Sequence, residues 1–232
     1  MRIVNSVIND IRFQFKYGFY LVYAIITMVY IGVVFALPAS WRGTASAVIV
    51  FSDPAALGFF FMGAVVLFEK SERVLNSIFI SPLKIDEYIF SKVVSLGLIS
   101  TLVGVTIAVL STSANVNIVY LTLGLMLGSI LFSLAGLIVA TKVNSLNGFM
   151  LGVIPIGTVL SLPPFLIFFG FNNVFLQLHP GVIVLEHILS SVGIGKINIF
   201  TMLVLMLWIG VFWIWARINL KKMISNLGGI NL

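Results

Sequence analysis

The sequence predicts an all-α integral membrane protein, a single transmembrane domain over residues 1–232 with six transmembrane helices and both termini on the cytoplasmic side. Three observations predict it. Apolar residues make up 60% of the 232 and charged residues 9%, with a mean hydropathy of +1.19, against roughly 45–50% and 25% in a soluble domain. Apolar runs long enough to cross a hydrocarbon layer recur along the chain, and the basic residues collect in alternate loops. A water-soluble domain is excluded. So is a nucleic-acid surface, because 13 Lys and Arg against 7 Asp and Glu give a net charge of +6 but too few charges to coat a basic face. With no cysteine there is no disulfide framework, thiolate metal site or cysteine nucleophile.

Five stretches meet the length of about 17–25 apolar residues that a crossing helix needs: Gly18 to Leu37, Val93 to Thr112, Ile118 to Ala140, Gly148 to Phe169 and Asn198 to Ala216. A sixth, Ala55 to Phe68, is shorter, and Asp53-Pro54 reads as its helix start. None of these six stretches contains Asp, Glu, Lys, Arg or His. Eleven Lys and Arg then fall on one side, from Arg2, Arg12 and Lys16 to Arg217, Lys221 and Lys222, against Arg42 and Lys196 on the other. The positive-inside rule places the larger group, and both termini, in the cytoplasm. The first span exceeds a signal-peptide core and follows a polar segment containing Asp10, so it reads as a retained helix.

In residues 1–17, Ile3, Val4, Val7, Ile8 and Ile11 recur at helical spacing opposite Arg2, Asn5, Asn9, Asp10 and Arg12, the pattern of an interfacial helix. The cytoplasmic connection from Glu69 to Lys92 holds 8 of the 20 charges in the chain. Its first half is amphipathic, with Val74, Leu75, Ile78 and Phe79 on one face, and Ser81-Pro82 breaks it because proline lacks the N–H and pushes its predecessor out of the α region. The expected result is helix, sharp turn, helix at the membrane surface.

The outer segment 170–197 contains FLQL and GVIVLEHIL, too short to cross and too apolar to float, and Pro163-Pro164 interrupts the chain before it. Re-entrant helices buried in protein are expected there. It also holds His179, Glu186 and His187, which by residue type could ligate a metal but whose spacing fits no ligand motif; a solvated Glu-His pair is the simpler reading. Within the spans no nucleophile, base or ligand set can be assembled, and no intramembrane charge is available to an ion-coupled carrier. Gly193-Ile194-Gly195-Lys196 lacks the spacing of a phosphate loop. Gly124 and Gly128, like Gly148 and Gly152, form small-xxx-small pairs that let helices approach.

The 69–92 segment resembles that of the membrane subunits of type-2 ATP-binding-cassette exporters, the permeases for drugs, antibiotics and polysaccharides. Glu69 and Glu72 match the acidic start, Leu75 the helix, Ser81-Pro82-Leu83 the turn, Glu87-Tyr88-Ile89 the following stretch and Lys92 the opening of the third span. Arg73-Val74, Asn76 and Ser91 depart from the usual Gly-Thr, Glu and Gly. The resemblance implies a permease that is not itself an enzyme. In that reading a coupling helix sits on a separate cytoplasmic ATP-binding subunit, which uses ATP and Mg, while this chain binds no cofactor. Glu69, Glu72, Arg73, Leu75, Ile78, Phe79, Ser81, Pro82 and Lys84 would make the coupling surface. Two membrane subunits, alike or related, would enclose the path. Phe59, Phe60 and Phe61 in the second span would suit an apolar or amphipathic substrate, although the same run also suits core or lipid contact. Export as the direction comes from the resemblance, and a prokaryotic plasma membrane is the expected location. A membrane enzyme or assembly scaffold using Glu186 and His187 is the alternative.

Overall fold

The computed structural model describes residues 2–72, 84–112, 116–171, 173–196 and 198–228, and among these it contains helices and no strand. In chain order they are α1 (Arg2–Lys16), α2 (Phe19–Ala36), α3 (Ala39–Val50), a π-helical turn (Phe51–Ala55), α4 (Leu57–Ser71), α5 (Ile85–Ser111) and α6 (Ile118–Ala140). Then follow α7 (Leu146–Ser161), a 3-10 segment (Pro163–Phe169), α8 (Val174–Gln177), α9 (Pro180–Ser191) and α10 (Ile199–Gly228).

Among the described residues six spans are long and apolar enough to cross a membrane, as predicted. The second is longer than its apolar core suggests: it runs continuously from Ala39 to Ser71, so Asp53-Pro54 lies inside a helix and does not start one. A π turn leaves room for a residue without an N–H, which is how the helix passes Pro54 without ending. The charge-free stretches are parts of longer helices: the second span also holds Arg42, Asp53, Glu69 and Lys70, α5 also holds Asp86, Glu87 and Lys92, and the last span also holds Arg217, Lys221 and Lys222.

Local chemistry sets the helix ends. Gly18 joins α1 to α2 at φ 76°, a left-handed conformation that costs glycine little. The Asn117 carboxamide oxygen accepts from the Tyr120 N–H at 3.1 Å and the Ser145 hydroxyl from the Gly148 N–H at 3.1 Å, each satisfying an otherwise orphaned donor. At α5 the Lys84 N–H donates to Glu87 at 2.9 Å.

Helix α6 is the centre of the bundle. In its most apolar stretch 78% of residues are buried, against 17% for α2 and for the α7 span. These outer helices therefore present Leu21, Met28, Leu151 and Val159 outward, a surface tolerable in lipid and not in water. Close approach to α6 rests on its small residues. A Cβ on Gly136 would lie 2.2 Å from the Phe59 carbonyl oxygen of α4. On Gly128 it would lie 2.7 Å from Val184, and on Gly124 3.1 Å from His187. The Gly124/Gly128 pair thus seats the short helix α9, which is buried along most of its length.

Candidate functional site

The ends of the 69–92 connection are held by buried polar contacts where α1, α4 and α5 meet. Glu69, in the last turn of α4, is buried, as is Lys92, two turns into α5. The Lys92 ammonium pairs with Glu69 and donates to the Asp10 carboxylate of α1 at 2.5 Å. The Tyr88 hydroxyl donates to the other Glu69 oxygen at 2.6 Å. One turn along α1, the Gln14 amide donates to Ser95 at 2.9 Å. Phe13, Tyr17 and Phe68 pack nearby, with ring centroids 4.3 Å apart for Phe13 and Tyr17 and 4.7 Å for Tyr17 and Phe68. A cation with two carboxylates away from water stays favourable only while every member keeps its partner.

The flanking residues are tied elsewhere. Lys70 donates to the Val143 carbonyl at 3.1 Å and to Asn144 at 2.5 Å, fastening α4 to the α6–α7 loop. Asp86 accepts from the Trp213 indole at 3.2 Å and pairs with Arg217 at 3.3 Å, fastening α5 to α10. The two ends of the connection are therefore anchored to three separate parts of the bundle: α1, the α6–α7 loop and α10. Glu72 and Lys84 stand exposed at those ends, while Arg73, Leu75, Ile78, Phe79, Ser81 and Pro82 lie outside the described residues.

The three phenylalanines diverge. Phe59 is buried against α6, Phe60 is exposed, and Phe61 turns edge-on to Phe19 and Tyr23 with centroids 4.4 and 5.1 Å away. Phe60 and the rim of Phe59 line a groove of about 570 Å³ with Met150, Ile154, Thr158 and Ser52.

At the opposite end of the bundle, the expectation of a solvated Glu186-His187 pair is overturned for His187, while Glu186 stays partly exposed. His187 is 1% exposed, stacked on Tyr120 at 4.9 Å, with Nδ1 2.7 Å from the Ile183 carbonyl and Nε2 buried without a partner. It reaches the interior because Gly124 leaves space beside it. His179 precedes α9, and among the described residues no three His, Asp or Glu groups come together to hold a metal. Burial pulls the His187 imidazole below its usual range, with the Ile183 bond partly offsetting this. A histidine held neutral in the fold but free to protonate when unfolded stabilises the protein above pH ~6.5, and that contribution is lost as the pH falls further. We expect the thermal midpoint in detergent to drop between pH 7 and pH 5, and to drop less in His187→Phe, which keeps the ring. Identical pH slopes would assign the effect to other groups. Glu186, whose carboxyl is pushed up by burial, gains from acidification and so works in the opposite sense.

Sequence reasoning missed the Asp10–Lys92–Glu69 cluster and put Asp53 at a helix start, where the structure has it inside the second span. The first was signalled by opposite charges at the facing ends of consecutive spans, with Asp10 on the polar face of α1. For the second, the apolar window began at Ala55, whereas the helix begins at Ala39.

The Fluoroquinolones export permease protein family matches the chain over residues 1–226. Two fluoroquinolones export permease proteins of Mycobacterium tuberculosis, from strains CDC 1551 / Oshkosh and ATCC 25618 / H37Rv, are each 30% identical to it over 163 residues. The match covers 70% of this chain and 69% of each relative.

Proposed function

Since this chain belongs to the fluoroquinolones export permease family, we propose that it is the membrane subunit of an ATP-driven exporter, working as a pair of membrane subunits with separate ATP-binding subunits. It is a multi-pass transport subunit; the partner would bind and hydrolyse ATP with Mg. The end of the bundle that holds both termini faces the cytoplasm of a bacterial cell in this reading, in line with the eleven-to-two distribution of Lys and Arg. Helix α1 then lies along the inner interface and α9 dips into the outer leaflet as a re-entrant helix.

The observation that carries the coupling is the buried Asp10–Lys92–Glu69 cluster. A push on a loosely attached loop would be lost in that loop. A segment whose two ends are clamped to α1, to the α6–α7 loop and to α10 passes a rigid displacement into all three at once. Leu75, Ile78 and Phe79 supply the apolar anchors on the ATP-binding subunit, and Glu72, Arg73 and Lys84 the charged rim, with Ser81-Pro82 turning the chain. The substrate class is a fluoroquinolone-like amphiphile, and the Phe60 groove between α4 and α7 offers it an apolar wall.

Affinity purification of the tagged chain from its own membranes in mild detergent tests this. A stoichiometric ATP-binding subunit, together with ATP-dependent export that is lost in Leu75→Asp/Ile78→Asp while insertion persists, is the expected result. A clean complex without an ATPase would overturn the reading, and unimpaired export in the double variant would remove the coupling assignment. An ion-driven carrier is the second reading, favoured by Asp53 inside the second span. Export from vesicles that continues without ATP would select it.

A further inference from the structure

Two cavities of about 510 and 320 Å³ adjoin at the end of the bundle away from the termini, between the 3-10 segment, α8, α9 and the start of α10. Ile167, Gln177 and Glu186 form part of the wall of both. The larger, whose volume is that of a small-molecule site, is also lined by Lys196, Ser190, Asn198 and Thr201. Glu186, half-buried, and Lys196, exposed, both line this space, and neither makes an ion pair with the other or with any described residue. Burial raises the Glu186 carboxyl, the mark of an anion short of a counter-charge. The remaining lining is apolar, from Ile167, Phe168, Leu189 and Ile194. Glu186 is also held in place. Its neighbour His187 is locked against Tyr120, and α9 is pressed on α6 at Gly124 and Gly128, so the carboxylate stands on a rigid support.

We propose that this cavity binds a solute carrying one ammonium and one carboxylate on an apolar frame, Glu186 taking the ammonium and Lys196 the carboxylate. Two separated, unpaired charges of opposite sign are complementary to such a zwitterion and discriminate against molecules that carry only one of its charges. Its role as the outer station of a transport path rests on the exporter reading above; the binding itself does not.

The test is equilibrium dialysis of the purified full chain against ciprofloxacin, which carries both charges, its methyl ester, which keeps only the ammonium, and its N-acetyl derivative, which keeps only the carboxylate. Glu186→Gln should weaken ciprofloxacin and the ester by roughly tenfold and leave the N-acetyl compound unchanged; Lys196→Gln should weaken ciprofloxacin and the N-acetyl compound and spare the ester. The tenfold figure is for the half-buried Glu186, discounted from the loss seen for buried charges; the exposed Lys196 should give a smaller loss. Equal binding of all three compounds by both variants, a uniform loss across all three, or no binding by the unsubstituted chain overturns the proposal. If the charge pattern holds in a chain that purifies without an ATPase, the site stands and the exporter reading falls. ATP-driven export with binding indifferent to both substitutions does the reverse.

Discussion

Lys92→Met is expected to destabilise the folded chain by about 3–5 kcal/mol, the usual cost of removing one partner from a buried ion pair. Methionine fills much of the same space, so the loss is electrostatic. Glu69 and Asp10, which both bond to the Lys92 ammonium, would face each other with no cation between them. The Tyr88 hydroxyl still satisfies one Glu69 oxygen, but nothing replaces the donors to the other or to Asp10. The chain's easiest escape is to release α1, whose polar ties to the bundle here are the Asp10 and Gln14 bonds. Limited proteolysis should therefore cut near the N terminus of Lys92→Met sooner than in the unsubstituted chain, alongside a fall in the thermal midpoint in detergent. Adding Asp10→Asn and Glu69→Gln should restore much of the stability, because neutral amides bury at lower cost than unpaired carboxylates. Equal stability of Lys92→Met and the parent would show that the cluster is hydrated and contributes little.

Gly136→Ala should be nearly as damaging, for a steric reason. The added methyl would lie 2.2 Å from the Phe59 carbonyl oxygen and 3.0 and 3.1 Å from its carbonyl carbon and Cα. Those are backbone atoms, so no rotamer change relieves the clash and α4 must move away from α6. That movement loosens the packing around Phe59 and Phe132, whose rings lie 6.4 Å apart at the same contact. Overpacking of this type costs about 1–3 kcal/mol and more where backbone must shift. Gly210→Ala is the control, since nothing lies within 4 Å of its Cβ position and a helical Gly-to-Ala change is mildly favourable by itself. The folded yield and thermal midpoint of Gly136→Ala should fall well below those of Gly210→Ala. Matching values would mean that α4 and α6 are farther apart than the contact implies.

Much of the fold was legible in the chain because hydropathy is a local quantity. Six spans follow from runs of Leu, Ile, Val and Phe, and the Pro163-Pro164 interruption shows as a 3-10 segment because proline withholds the donor that the α ladder needs. The export-permease family was legible too, through the Ser81-Pro82-Leu83 turn and its acidic and basic flanks. The second span was misjudged at its start. Asp53-Pro54 has the chemistry of a helix beginning, and only the wider π turn and the packing of α3 against α5 and α9 keep the helix continuous.

What the sequence alone determined is the number of spans, the sign and distribution of the flanking charges and the family, all properties of neighbouring residues or of a short ordered motif. What only the tertiary structure decided is which distant residues meet. Asp10, Glu69 and Lys92 are separated by 59 and 23 positions yet share one buried site, and His187 is buried or solvated according to whether Gly124 stands opposite it. A buried charge is stabilised by the partners that replace its water. Those partners are brought together by the packing of helices, which no single stretch of sequence specifies.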